Sequence, residues 1–188
     1  MSIKVEITNN IKTNKYYEAK IKDSQKEYSW NKESIKYIEE LKSKYPEGKE
    51  QSALLEVMHH AQDVFDGWLP VNLLKLIAKT LNIPLIRVEE MANFYTMFNI
   101  NPIGKYYIQV CTHCSCMMNG SSSILKTLKN EVGEMQNGIS EDGLFTVKEA
   151  ECLGACIKGP VVVVNGKYHE KMTPEKVSEL IKELRSKV

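Results

Sequence analysis

The sequence predicts an α+β chain, with a small N-terminal helical bundle followed by a domain in which strands and helices share one core. Three observations predict it. From Glu33 to Phe98 apolar residues recur at three- and four-residue spacing, the pattern of amphipathic helices. From about Lys105 short aromatic and β-branched runs are interleaved with helical stretches. All five cysteines fall between Cys111 and Cys156.

The elements follow in order. Residues 1–32 are polar, never sustain an apolar block and are expected to form an extension, partly disordered or laid against a partner. They lack the apolar core of a secretory signal, and with no arginine but with Glu6, Glu18 and Asp23 they do not match an ordinary mitochondrial presequence, a divergent organellar one being the alternative. Residues 33–100 are expected to form the bundle. Ile35, Ile38 and Leu41 give one helix that stops before Pro46. Leu54, Val57, Met58, Ala61, Val64 and Phe65 line a second, ended by Asp66-Gly67. Pro70 suits the start of a third, carrying Leu73, Leu74, Ile77, Ala78 and Leu81 and broken by Asn82. Pro84 opens a fourth that is read through to Phe98.

Residues 101–188 are expected to form the second domain. Tyr106 to Val110 reads as a strand, Ser121 to Val132 as a helix with Ile124, Leu125 and Leu128 inward, and Phe145 to Val147 as a second strand. Val161 to Val164 is an unbroken β-branched run, as expected of a buried central strand. Asn165-Gly166 signals a tight hairpin returning through Lys167 to His169. Thr173-Pro174-Glu175 combines a cap, a proline at the first position and an acid in the first turn, and Val177, Leu180, Ile181 and Leu184 give the last helix its core face. That order is the order of a thioredoxin-like sheet with helices on its faces.

Charge and composition narrow the function classes. The 25 basic and 24 acidic side chains nearly cancel, which argues against nucleic-acid binding. The stretch from Leu73 to Met91 imitates a helix-turn-helix, but Arg87 is offset by Glu89 and Glu90, so packing against a partner subunit is the better use of it. No apolar run reaches the roughly 18 residues of a membrane span, so no direct insertion is expected. An odd cysteine count in so short a stretch points to metal or redox chemistry rather than to disulfides.

The cysteines read Cys111-Thr-His-Cys114-Ser-Cys116 and Cys152-Leu-Gly-Ala-Cys156, each group just after a predicted strand. Three readings fit. Four thiolates on two loops, Cys111, Cys116, Cys152 and Cys156, can surround a [2Fe–2S] cluster, with Gly154 and Ala155 letting backbone N–H groups approach the sulfurs. A zinc-stapled interaction module could use the Cys111–Cys114 pair, though the second pair suits zinc less well. A thiol–disulfide oxidoreductase could use Cys111-Thr-His-Cys114, which leaves Cys116, Cys152 and Cys156 unexplained. His113 lies in the ligand loop, but four cysteines already suffice. His59-His60, Phe94, Tyr95 and Phe98 sit at helical spacing and are read as packing residues. Pro160 enters its strand where thioredoxin-like folds often carry a cis proline.

Beyond the cysteines, Met117 to Ser121, Glu151 to Cys156 and Gly159-Pro160-Val161-Val162 resemble the small [2Fe–2S] subunit of NADH dehydrogenases, the thioredoxin-like peripheral-arm subunit of respiratory complex I. Asp66-Gly67-Trp68-Leu69-Pro70, Asn93 to Phe98, and His169-Glu170 with Thr173 to Lys176 resemble further motifs of that family in the same order, over about residues 33–186. The resemblance implies a thioredoxin-like [2Fe–2S] ferredoxin domain with Cys111, Cys116, Cys152 and Cys156 as ligands. It implies an electron-transfer role in an NADH:quinone oxidoreductase, with FMN and NADH on a larger partner subunit and further peripheral-arm subunits around it. The equivalent subunits of NAD-linked hydrogenases and formate dehydrogenases are also similar. The implied location is the cytoplasmic side of a bacterial inner membrane, or the matrix side in a mitochondrion or hydrogenosome. The chain departs from the family at Thr112 to Ser115, where Thr-His-Cys-Ser replaces a run such as Thr-Thr-Thr-Pro, and this makes Cys114 surplus.

Overall fold

A computed structural model describes residues 15–188, and these fall into two compact units. The first spans Ala19–Ile103; the second is Gly104–Val188 together with the described residues up to Glu18. The first unit starts well before residue 33 because part of the expected extension is folded. Lys15–Ser24 forms helix α1, and Tyr28 and Trp30 pack against the helical core. The Tyr28 hydroxyl donates to the Asp23 carboxylate, and the Trp30 indole N–H donates to Thr80 Oγ1 at 2.8 Å. The rest of the expected extension, residues 1–14, lies outside the described residues.

The bundle is built from α2 (Lys32–Ser43), α3 (Leu54–Val64), α4 (Val71–Leu81) and α5 (Leu85–Phe94). Asn31 caps α2, its Oδ1 accepting from the Ser34 N–H at 2.7 Å. Ile38, Leu41, Val57, Met58, Ala61, Leu73, Ile77 and Val88 meet in one core, as the helical spacing predicts. Asn82 ends α4 in the left-handed region at φ 51°, its N–H reaching the Ala78 and Lys79 carbonyls. Three expectations shift. Pro70 and Pro84 stand one residue before their helices, at the cap. Helix α5 ends at Phe94, and Phe98 is buried from a turn beyond it. Phe94 is 76% exposed, although its spacing marks it as a packing residue.

The second unit carries a four-stranded sheet in the order β4-β1-β5-β6. Strand β1 (Tyr106–Cys111) is parallel to β4 (Phe145–Ala150) and antiparallel to β5 (Val162–Val164), which pairs antiparallel with β6 (Lys167–His169). The valine run is therefore interior and the returning strand is an edge, as predicted. Side chains alternate across a strand, and here the two faces divide cleanly. Ile108, Val110, Val162 and Val164 share a core with Ile124, Leu128 and Val132 of α7 (Ser121–Val132) and with Val177, Leu180, Ile181 and Leu184 of α8 (Pro174–Ser186). Val161 and Val163 pack instead with Cys111 and Cys116. Both long helices thus cover one face, rather than one on each, and the cysteine loops occupy the other. Thr173 caps α8, as its motif predicts, accepting from the Lys176 N–H. The Gly159–Pro160 peptide is cis.

Two elements go beyond the sequence reading. A small hairpin joins β2 (Met135–Gln136) to β3 (Ile139–Ser140) through Asn137-Gly138, both at positive φ. A short helix α6 (Cys114–Met118) folds the first cysteine loop.

Candidate metal centre

Strand parallelism brings the two cysteine groups together. Because β1 and β4 run the same way, with Cys111 opposite Ala150, both strands leave the sheet at the same end. The register continues one step further, where the Thr112 N–H donates to the Ala150 carbonyl at 2.9 Å. Cys111 is the last residue of β1, and Cys116 lies on the α6 turn; both are buried, at 2% and 1% exposure. Cys152 and Cys156 follow β4 on an exposed loop. All five cysteines are free thiols.

The sulfurs fall into pairs. Cys152 Sγ lies 3.7 Å from Cys156 Sγ, and the Gly154 N–H donates to Cys152 Sγ at 3.5 Å. The Cys111 thiol donates to the Glu151 carbonyl at 3.4 Å, which links the first group to the second loop. Burial pushes the Cys116 thiol pKa up, and its hydrogen bond with Cys111 adds to the effect. The hydrogen bond with Cys152 raises the Cys156 thiol pKa first, with the Cys152 charge second. Cys116 also feels Cys156, and Cys156 feels Cys111, so the pairs are within electrostatic reach of each other. Cys114 is exposed at the start of α6 and is not among the groups that perturb either thiol.

The donor set fits a two-iron cluster. Four ionised sulfurs this close repel one another unless a cation lies between them, and soft thiolates suit iron. Two thiols from each loop match the two sulfurs that each iron of a [2Fe–2S] cluster requires. Room is kept at one point by a glycine: a Cβ on Gly159 would sit 3.1 Å from Cys116 Sγ. Gly159 has an ordinary φ of −66°, so the glycine answers a spatial need. Gly154 differs, since its φ is +77° with open space around it, and there the need is conformational.

Other candidates lie apart. His113 is exposed just before α6. His60 lies in the bundle unit, its Nε2 2.8 Å from Ser34 Oγ and its ring flanked by Trp30 and Tyr37. The sequence gives Gly159 and Glu151 only as parts of a resembling motif, with no role, and Tyr168 only as part of a returning strand. The Tyr168 hydroxyl donates to the Leu153 carbonyl, inside the second cysteine loop, at 2.9 Å. The hairpin register could have pointed to Tyr168, because it stands opposite Val163, on the cysteine face. Two apolar side chains next to the cysteine groups in sequence stand out: Ile157 is fully exposed, and Met118 is 84% exposed.

A four-stranded sheet with helices on one face and paired thiols on the other defines a thioredoxin-like iron–sulfur protein, and the chain belongs to the thioredoxin-like [2Fe–2S] ferredoxin family, which residues 38–185 match. Curated relatives that it matches include E subunits of NADH-quinone oxidoreductases. The chain is 42% identical to that of Rickettsia bellii over 159 residues, or 85% of this chain and 95% of the relative. To that of Rickettsia conorii it is 40% identical over the same length and coverage. The fold resembles part of an NAD+-reducing [NiFe]-hydrogenase at a TM-score of 0.62 and 19% identity; the match takes in 72% of this chain and spans about a quarter of the hydrogenase chain, 23%. Among the described residues no helix is long and apolar enough to cross a membrane.

Proposed function

We propose that Cys111, Cys116, Cys152 and Cys156 hold one [2Fe–2S] cluster and that the chain is an electron-transfer subunit of an NADH:quinone oxidoreductase. The observation that carries this reading is the gathering of two thiol pairs at one end of the parallel β1–β4 pair, in a chain of this family. When bound, the cluster supplies a one-electron carrier. The chain's own residues then set its environment. Cys111 and Cys116 are shielded by Val161 and Val163, which keeps water from one side. Cys152 and Cys156 lie at the surface, where an electron can cross to a partner. The Gly154 N–H, bonded to Cys152 Sγ, withdraws charge from the sulfur and favours the reduced form.

The electron partner in this reading is FMN on a larger, NADH-binding subunit. The chain carries no G-x-G-x-x-G segment that would bind a dinucleotide. The exposed Ile157 next to Cys156, and the exposed Met118 at the end of α6, suit contact with such a subunit. Residues 101–188 act as the cluster domain and residues 33–100 as a partner-facing bundle, within a peripheral assembly on the cytoplasmic side of the membrane that also includes further peripheral-arm subunits.

Metal and sulfide analysis of anaerobically purified protein tests the proposal. Two irons and two acid-labile sulfides per chain are expected, with an EPR signal on one-electron reduction. One zinc without sulfide overturns it in favour of a zinc-stapled module.

A further inference from the structure

The second cysteine loop is the exposed half of the site, and its position rests on neighbours outside the ligand motif. Cys152, Gly154, Cys156 and Ile157 are all exposed, and the regular structure within the loop is limited to the short 3-10 turn Cys156–Lys158. A loop with so little buried surface needs ties to the scaffold to hold one geometry.

Those ties come from the edge strand β6 and the turn after it. Tyr168 pairs with Val163 across the β5–β6 hairpin, and directly opposed residues project from the same face. Val163 packs with Cys111 and Cys116, so the register sets Tyr168 on the cysteine side. A slip of one residue would move it to the other face. From there the Tyr168 hydroxyl reaches the Leu153 carbonyl at 2.9 Å, between the two cysteines of the loop. Two residues on, Glu170 pairs with Lys158 at 2.9 Å, and the Lys171 N–H donates to the Lys158 carbonyl at 2.8 Å. The Met172 N–H donates to the Pro160 carbonyl at 3.0 Å. The middle and the end of the loop are thus fastened to the same short stretch, residues 168–172.

We propose that Tyr168 is a positioning residue for the cluster: its hydroxyl fixes Leu153, and through Leu153 the spacing of Cys152 and Cys156, with the Glu170–Lys158 pair as a second tie. The inference rests on the ligand assignment proposed above. Its hydroxyl acts through the backbone between two of the ligands, at Leu153.

The test uses the full chain with Tyr168→Phe, which keeps the ring on a half-exposed edge and removes the hydroxyl alone. The variant is expected to bind two irons and two sulfides, as the parent does, but to release iron to a chelator about two- to fivefold faster, the lower range for one neutral hydrogen bond that water can replace. The visible circular dichroism and the EPR g-values of the reduced protein should shift. In the iron-free chain, NMR order parameters at Gly154 and Ala155 should fall from about 0.85 toward about 0.6, while Ile124 in α7 stays rigid. Glu170→Gln should accelerate iron release further when added to Tyr168→Phe. Unchanged release, spectra and order parameters would overturn the proposal. So would an equal loosening at Ile124, which would mark Tyr168 as merely structural. If the parent chain takes up no iron, the ligand assignment fails, and the iron-free NMR comparison still decides whether Tyr168 holds the loop.

Discussion

A methyl group on Gly159 would stand 3.1 Å from the sulfur of Cys116. That is tighter than most such contacts, so the sulfur must shift slightly, and Cys116 is itself buried with little room to do so. Gly159→Ala should therefore lower iron and sulfide content and lower the melting temperature of the iron-free chain only modestly, since the backbone at φ −66° accepts alanine and the strain is confined to the contact with Cys116. Iron and sulfide analysis beside a thermal melt checks both halves.

The surplus thiol gives a second prediction. Cys114 is exposed and stands apart from the thiols that perturb one another. Cys114→Ser should leave the visible and EPR spectra intact. Cys116→Ser should lose or badly distort them, and the same holds for Cys111, Cys152 and Cys156. If Cys114→Ser loses the signal and Cys116→Ser keeps it, the ligand role passes to Cys114.

A third concerns the scaffold. A Cβ on Gly104 would meet the Phe145 backbone N and C at 2.7 Å, and the Gly104 N–H donates to Thr146 Oγ1 at 2.9 Å. Phe145 begins a paired strand, so its backbone has little freedom to retreat. Gly104→Ala should cost about 1–3 kcal/mol, the usual range for overpacking. Urea denaturation should show a lower midpoint with an unchanged slope.

His169 supplies a pH dependence. Partial burial lowers its pKa below the ordinary 6.5, Lys167 lowers it further, and Glu183 opposes the shift. The unfolded chain then binds the proton more readily than the folded one. Stability is full above about pH 6.5 and declines as the pH falls from there to the folded-state value, below which this contribution no longer changes. His169→Gln should flatten the midpoint-versus-pH curve in that window, and the curve of the parent chain should slope upward with pH there.

Much of this was legible in the residues. The buried faces of α4 and α8 follow from spacing alone, and so does the interior position of Val162–Val164. Asn165-Gly166 placed the hairpin, and its register then put Tyr168 beside the cysteines. What spacing could not give was the partner of each strand. Nothing local says that β1 pairs in parallel with β4, and only that pairing brings Cys116 near Cys156. Tyr28 and Trp30 were hidden in polar sequence, because two aromatic rings without helical period carry no signal until the groove they fill exists. The small β2–β3 hairpin had a readable sign in Asn137-Gly138, but its strands are too short to show alternation.

The parallel pairing of β1 with β4 also sets how the chain can be locked. Cys116 and Cys152 are separated by residues 117–151, which include α7 and the β2–β3 hairpin. A cluster bridging the two loops would close that whole segment into a covalent ring. Loops of this size confer on the order of 4 kcal/mol by the chain-entropy reckoning used for disulfides. The iron centre would then serve as a cross-link, and its gain would fall on the β1–β4 crossover, a parallel contact between strands far apart in sequence.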